Sequence, residues 1–157
     1  MPRKKRSQRQ AIEFASYHVR ITGWDWDYSF SVNGAKWEDK QFADYRYLTV
    51  RGILLRPRRI KVEAAELTFI PEAGLAELEQ SNDASARAVG SLNIQDTRLL
   101  GYLSMPTDAL GPVLQMLIAN RFKYVLLNGE VMRYRKALVH RYNLTERHDE
   151  ADYPDDE

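Results

Sequence analysis

The chain has 157 residues, 44% of them hydrophobic and 29% charged, with a formal net charge of +1 and no cysteine. This is one domain's length with enough apolar content for a core, and the lack of thiols removes disulfides, cysteine nucleophiles and sulfur-ligated zinc together. No apolar run reaches the roughly 18 residues of a membrane span, and Glu13, His18 and Arg20 interrupt any secretory-signal core, so a soluble, intracellular, cytoplasmic protein is expected.

Residues 1–10 hold Arg3, Lys4, Lys5, Arg6 and Arg9 and nothing large to bury, which predicts a flexible basic arm. A single mainly β domain is expected over 11–145. Its first strand places Ala15, Tyr17, Val19 and Ile21 on one face and Ser16, His18, Arg20 and Thr22 on the other. At Gly23 the apolar parity switches to Trp24, Trp26, Tyr28, Phe30 and Val32, which predicts a β-bulge or a sheet-to-sheet corner, with these rings packed in the core. Asn33-Gly34 reads as a turn.

A second extended region runs from Tyr45 to Leu55 and is broken by Pro57. The run Arg56-Pro57-Arg58-Arg59-Ile60-Lys61 concentrates cations. Ile60, Val62 and Ala64 then alternate, and the parity shifts again to Leu67 and Phe69 before Pro71. Residues 72–87 read as a long loop with a short helical turn near Leu75 to Leu78. Strand patterns resume at Ser91 to Ile94 and Leu99 to Met105.

The only helix expected lies near 110–120, where Leu110, Val113, Leu114, Leu117 and Ile118 paint one stripe. It starts at Thr107 or Asp108, or at Gly111-Pro112, and ends at Asn120. Asn128-Gly129 has the composition of a type I′ hairpin turn. Outward counting then sets Tyr124 opposite Arg133 and Phe122 opposite Arg135. One ribbon surface carries these residues, with Arg141 turned the same way, and the other carries Val125, Leu127, Met132, Tyr134, Leu138, His140, Tyr142 and Leu144 against the core. The sequon Asn143-Leu144-Thr145 falls within this strand. Residues 146–157, with seven carboxylates against Arg147, are expected to be a flexible acidic tail.

The pattern as a whole predicts an antiparallel β-sandwich or partly open barrel of eight to ten strands with one short helix.

Little in the chain assembles a reactive site. His18, His140 and His148 show no metal-ligand spacing, no serine sits in a nucleophile elbow, and no glycine loop is shaped to hold phosphate. His18 could meet Asp25 or Asp27 as an acid–base pair, although an exposed place on the strand's wet face is the plainer expectation. Glu38, Asp39 and Asp44 read as solvated. Trp beside Asp also occurs in sugar sites, but Trp24 and Asp25 point to opposite faces of one strand.

The expectation is therefore a non-enzymatic binding domain without a cofactor, engaging nucleic acid or another polyanion. Arg3, Lys4, Lys5 and Arg6 of the arm and Phe122, Tyr124, Arg133, Arg135 and Arg141 of the hairpin face would supply phosphate contacts and stacking. The alternatives are a protein-interaction module of a larger assembly, and a small-ligand or enzyme domain with a cavity beside the helix near Trp24, Trp26 and His18.

Overall fold

Tyr17 and Val19 point into the molecule from strand β1 (Phe14–Val32), and the same inward alternation recurs in every other strand of a closed ring. The computed structural model describes residues 13–32, 42–73, 75 and 88–149. The remaining strands are β2 (Phe42–Arg56), β3 (Ala64–Glu72), β4 (Gly90–Gln95), β5 (Arg98–Pro106), β6 (Tyr124–Glu130) and β7 (Lys136–Thr145). They close in the order β1-β2-β3-β5-β4-β7-β6. All neighbours are antiparallel except β3 and β5, which run parallel from Ala64↔Arg98 to Glu72↔Pro106. Closure pairs every barrel strand on both sides, so the ring leaves no sheet edge there.

Among the described residues, the mainly β character and the one α-helix agree with the sequence expectation. Against the expected sandwich or partly open barrel of eight to ten strands, the described residues form seven strands in one closed ring. Two readings inflated the count. Ala15–Ile21 and Trp24–Val32 are one strand, bent at register shifts between His18 and Val19 and between Ile21 and Gly23, so the parity switch at Gly23 is a bulge. Ile60 and Val62 lie in the irregular connection before β3, and burial at Ala65, Leu67 and Phe69 begins only after the parity shift.

The interior is filled by Tyr17, Val19, Leu48, Val50, Leu67, Phe69, Leu92, Leu99, Leu103, Met105, Val125, Leu127 and Val139. Two polar tips are accommodated by carbonyl oxygens. Tyr17 donates to Glu130 O at 2.7 Å, and Tyr142, edge-on to Phe69, donates to Ser104 O at 2.9 Å. Helix α1 (Leu110–Ile118) follows a 3-10 turn at Thr107–Ala109, so the chain turns helical before Gly111-Pro112, and it buries Leu110 and Leu117. It ends at Asn120, whose φ of 56° and N–H to Leu117 O at 3.0 Å fit a left-handed cap.

The largest local correction concerns the last hairpin. Asn128 and Gly129 lie inside β6, beside a register shift, and pair with Arg141 and Val139. Gly129 is required there because a Cβ would collide with the Leu138 carbonyl. The turn lies six residues later, at Tyr134-Arg135, with φ of 50° and 64°. Arg133 and Lys136 exchange both backbone hydrogen bonds at 2.9 Å, which closes a two-residue turn of type I′ sign. Local composition favoured Asn-Gly, but the β1–β6 ladder from Phe14↔Glu130 to Arg20↔Tyr124 holds that segment extended.

Candidate functional site

The corrected register separates the residues expected to form one basic, aromatic surface. Tyr124 pairs with Thr145, and its ring stacks on His148 at 5.1 Å. Phe122 packs against the core ahead of β6. Arg135 sits in the turn, where its guanidinium donates to Ile94 O at 3.1 Å and to Asp96 O at 2.6 Å, tying this turn to the one between β4 and β5. Arg133 flanks the same turn, whereas Arg141 lies opposite Asn128 in β7. The pairs Tyr124/Arg133 and Phe122/Arg135 therefore do not exist. Tyr134, placed against the core by the same counting, is almost fully exposed at the turn, and Leu138 is exposed as well. Arg3, Lys4, Lys5 and Arg6 lie outside the described residues, as do Asn33-Gly34, Glu38, Asp39 and most of the loop after Leu75.

A different group converges. β1 begins beside the end of β2, and the shift at His18/Val19 brings His18 against Arg56 in the ladder. Together with Glu13, Phe14, Ser16, Arg59, Asn128, Val131 and His140, these two line a cleft of about 810 Å³. Strand alternation puts His18 outside the barrel, yet it is 1% exposed. The chain after β7 covers it: His148 Nε2 lies 2.7 Å from His18 Nδ1, and Glu146 is paired with Arg121 at 3.1 Å. This corrects the wet-face expectation for His18. Its supposed partner Asp25 is held instead by Arg51 across the β1–β2 ladder, and that guanidinium keeps the Asp25 carboxyl below its ordinary range. Asp44 is likewise engaged by Arg46 in a two-point contact at 2.9 and 3.0 Å.

Within the cleft, Asn128 Nδ2 donates to Ser16 Oγ at 2.9 Å, Phe14 meets the His140 ring edge-on at 6.0 Å, and His140 lies 4.0 Å from Glu130. Arg56 is 7% exposed, so its charge is held by the fold at the cleft wall, whereas Arg59 reaches out from the turn that follows. The same turn lines a second hollow of about 480 Å³ with Arg58 and Lys61. Four cations from six consecutive residues thus serve two adjacent concavities. The first cleft sets the guanidinium groups of Arg56 and Arg59 and the imidazole of His140 beside the Glu13 carboxylate. Among the described residues, no three His, Asp or Glu side chains gather as a metal site.

The run Arg56–Lys61 was visible in the sequence. Its union with His18 and His140 was not, because it depends on two bulges and on the path of residues 146–149.

Matched against known proteins, the chain finds no family model, no curated protein and no solved structure. Among the described residues no helix is long and apolar enough to cross a membrane.

Proposed function

We propose that this domain is a non-enzymatic binding module for a polyanion, nucleic acid foremost, and that phosphates are received by the cleft at the start of β1 and the turn Arg56–Lys61. The observation that carries this reading is the convergence of Arg59 and His140 with buried Arg56 around a concavity of about 810 Å³, with His18, sealed beneath His148, in its wall. Phosphate oxygens accept hydrogen bonds from guanidinium and imidazole groups, and such contacts set affinity with little regard to sequence. Glu13 is the one carboxylate among the residues lining this cleft. The basic residues Arg3 to Arg6 precede Glu13 by seven to ten positions. Chain connectivity keeps them within about 35 Å of the cleft, where they add contacts along the same backbone.

Arg133, at the β6–β7 turn, and Arg141, beside Asn128, are not among the residues lining this cleft and are at most accessory in this reading, and Arg135 serves the fold. The test is a titration of 15N-labelled protein with a short oligonucleotide. Resonance changes centred on Ser16, His18, Arg59 and His140 are expected. Changes centred on Arg133 and Arg141, with the cleft silent, would overturn the assignment.

A further inference from the structure

β1 and β2 outrun the barrel. β6 pairs with β1 only from Phe14 to Arg20, and β3 pairs with β2 only from Leu48 to Gly52. The ladder between β1 and β2 nevertheless continues to Val32↔Phe42, as a two-stranded ribbon. On the face that continues the barrel interior, Trp24 still packs against the core, but beyond it Trp26 is 39% exposed, Tyr28 56%, Phe30 60%, Val32 65% and Phe42 52%. Trp26 stacks on Tyr28 at 6.1 Å and Phe30 on Phe42 at 5.6 Å, so the rings form two stacked pairs along the ribbon, with Arg46 and Asp44 opposite Tyr28 and Phe30. At its inner end helix α1 borders a groove of about 390 Å³ with Leu110, Gly111 and Leu114.

Isolated two-stranded ribbons are marginal in water, and contiguous apolar patches of this kind mark interaction surfaces. We infer that this ribbon face is a self-association surface, which receives the same face of a second copy of this chain about a two-fold axis. Two observations select a second copy. The first is charge. Among the described residues, the only ionised ones on the face are Asp44 and Arg46, and they neutralise each other within one copy, so these parts of identical faces meet without like-charge repulsion. A nucleic acid finds a single cation there, already engaged.

The second is area. Rings of roughly 150–250 Å² left about half exposed amount to about 500 Å² per copy, hence about 1,000 Å² on pairing. That is the low end of specific interfaces and suits a reversible dimer. The opposite ribbon face, with Asp25, Asp27, Ser29 and Ser31 around Tyr45 and Tyr47, is polar and stays in water. The ribbon and the anion cleft lie at opposite ends of the β1–β2 ladder, so a dimer carries two separate clefts.

Sedimentation equilibrium of the intact chain should show the mass rising from one chain to two between about 1 and about 200 µM, in the micromolar affinity range. Phe30→Lys should hold the protein at one chain throughout, and Tyr45→Lys, on the other face, should leave the dimer intact. Because the chain has no cysteine, Phe30→Cys provides a second reading that is independent of the lysine variant's folding. Mild oxidation should give a disulfide-linked pair of chains for Phe30→Cys and not for Tyr45→Cys. A single-chain mass at every concentration would overturn the proposal and leave the face to another segment of this chain or to an unrelated protein. Dimers lost with Tyr45→Lys but kept with Phe30→Lys would overturn it too.

Discussion

His18 and His148, 130 residues apart, meet through their ring nitrogens at 2.7 Å, with the rings edge to face at 4.8 Å. One nitrogen donates and the other accepts, so each ring fixes the tautomer of its partner. The segment after β7 is thereby tied across the outside of β1, and it seals a histidine that strand alternation alone would leave in water. His148→Ala removes the partner and the lid together. The expected loss is about 1–2 kcal/mol of stability, read as a lower urea midpoint with an unchanged slope. A midpoint equal to that of the parent would show that the contact contributes nothing.

The turn at Tyr134-Arg135 uses two bulky residues at positive φ, where Asn or Gly is favoured. Tyr134→Asn should therefore stabilise the protein by about 0.5–1 kcal/mol. Arg135→Ala should do the reverse, by about 1–2 kcal/mol, because Ile94 O and Asp96 O lose their donor. Thermal melts of the two variants with opposite shifts are the expected result. A stabilised Arg135→Ala would mean that the guanidinium contacts do not offset the strained backbone.

Burial raises the hydroxyl pKa of Tyr142, and it raises that of Tyr17 despite a backbone hydrogen bond at Met132 and the charge of Arg59. A phenol is neutral while protonated, so the unfolded chain gives up these protons first. Their contribution to stability is complete below about pH 10 and falls as pH rises through the higher folded values. Denaturant midpoints should decline in that range, and Tyr17→Phe together with Tyr142→Phe should flatten the decline. Absorbance titration should also show two phenols ionising late. Ionisation of all nine tyrosines in one ordinary step would contradict the packing.

Residues 150–157 carry Glu150, Asp152, Asp155, Asp156 and Glu157. On the polyanion reading, five carboxylates on the chain that follows His148 would compete with phosphate for cations. Ending the chain at Asp149 keeps the His18 contact and should tighten oligonucleotide binding several-fold at low salt, with the gain shrinking as salt rises. Equal affinity for the two forms, measured by fluorescence anisotropy, would remove self-competition from the account.

Much of the architecture could be read from side-chain alternation, because burial inside a barrel imposes the two-residue period directly. Tyr17 and Val19, Leu48 and Val50, and Leu99 and Leu103 all face where the pattern puts them. The helix stripe and its Asn120 end are equally local. What escaped was non-local. Asn128-Gly129 is a turn by composition, but its place is decided by pairing with Ser16 and Ala15 on a strand more than a hundred residues earlier. Moving the turn to Tyr134-Arg135 undid every predicted facing pair beyond it. The ribbon aromatics were likewise right in phase and wrong in burial. Alternation reports which side a ring takes, not whether neighbouring strands extend far enough to cover it. The cleft also needed the shift at His18/Val19 and the docked segment 146–149, which leave no periodic signal, whereas the bulge at Gly23 showed as a parity switch.

The most direct test of anion binding at the Arg56–Lys61 turn is the salt dependence of oligonucleotide affinity for the intact chain and for the triple variant Arg58→Ala, Arg59→Ala, Lys61→Ala. Each phosphate contact contributes about 0.7–0.9 to the slope of log affinity against log salt. The account predicts a steep negative slope for the intact chain, made shallower by about 2–3 in the triple variant, with both proteins equally folded. Equal slopes, or no binding by the intact chain at low salt, would contradict it.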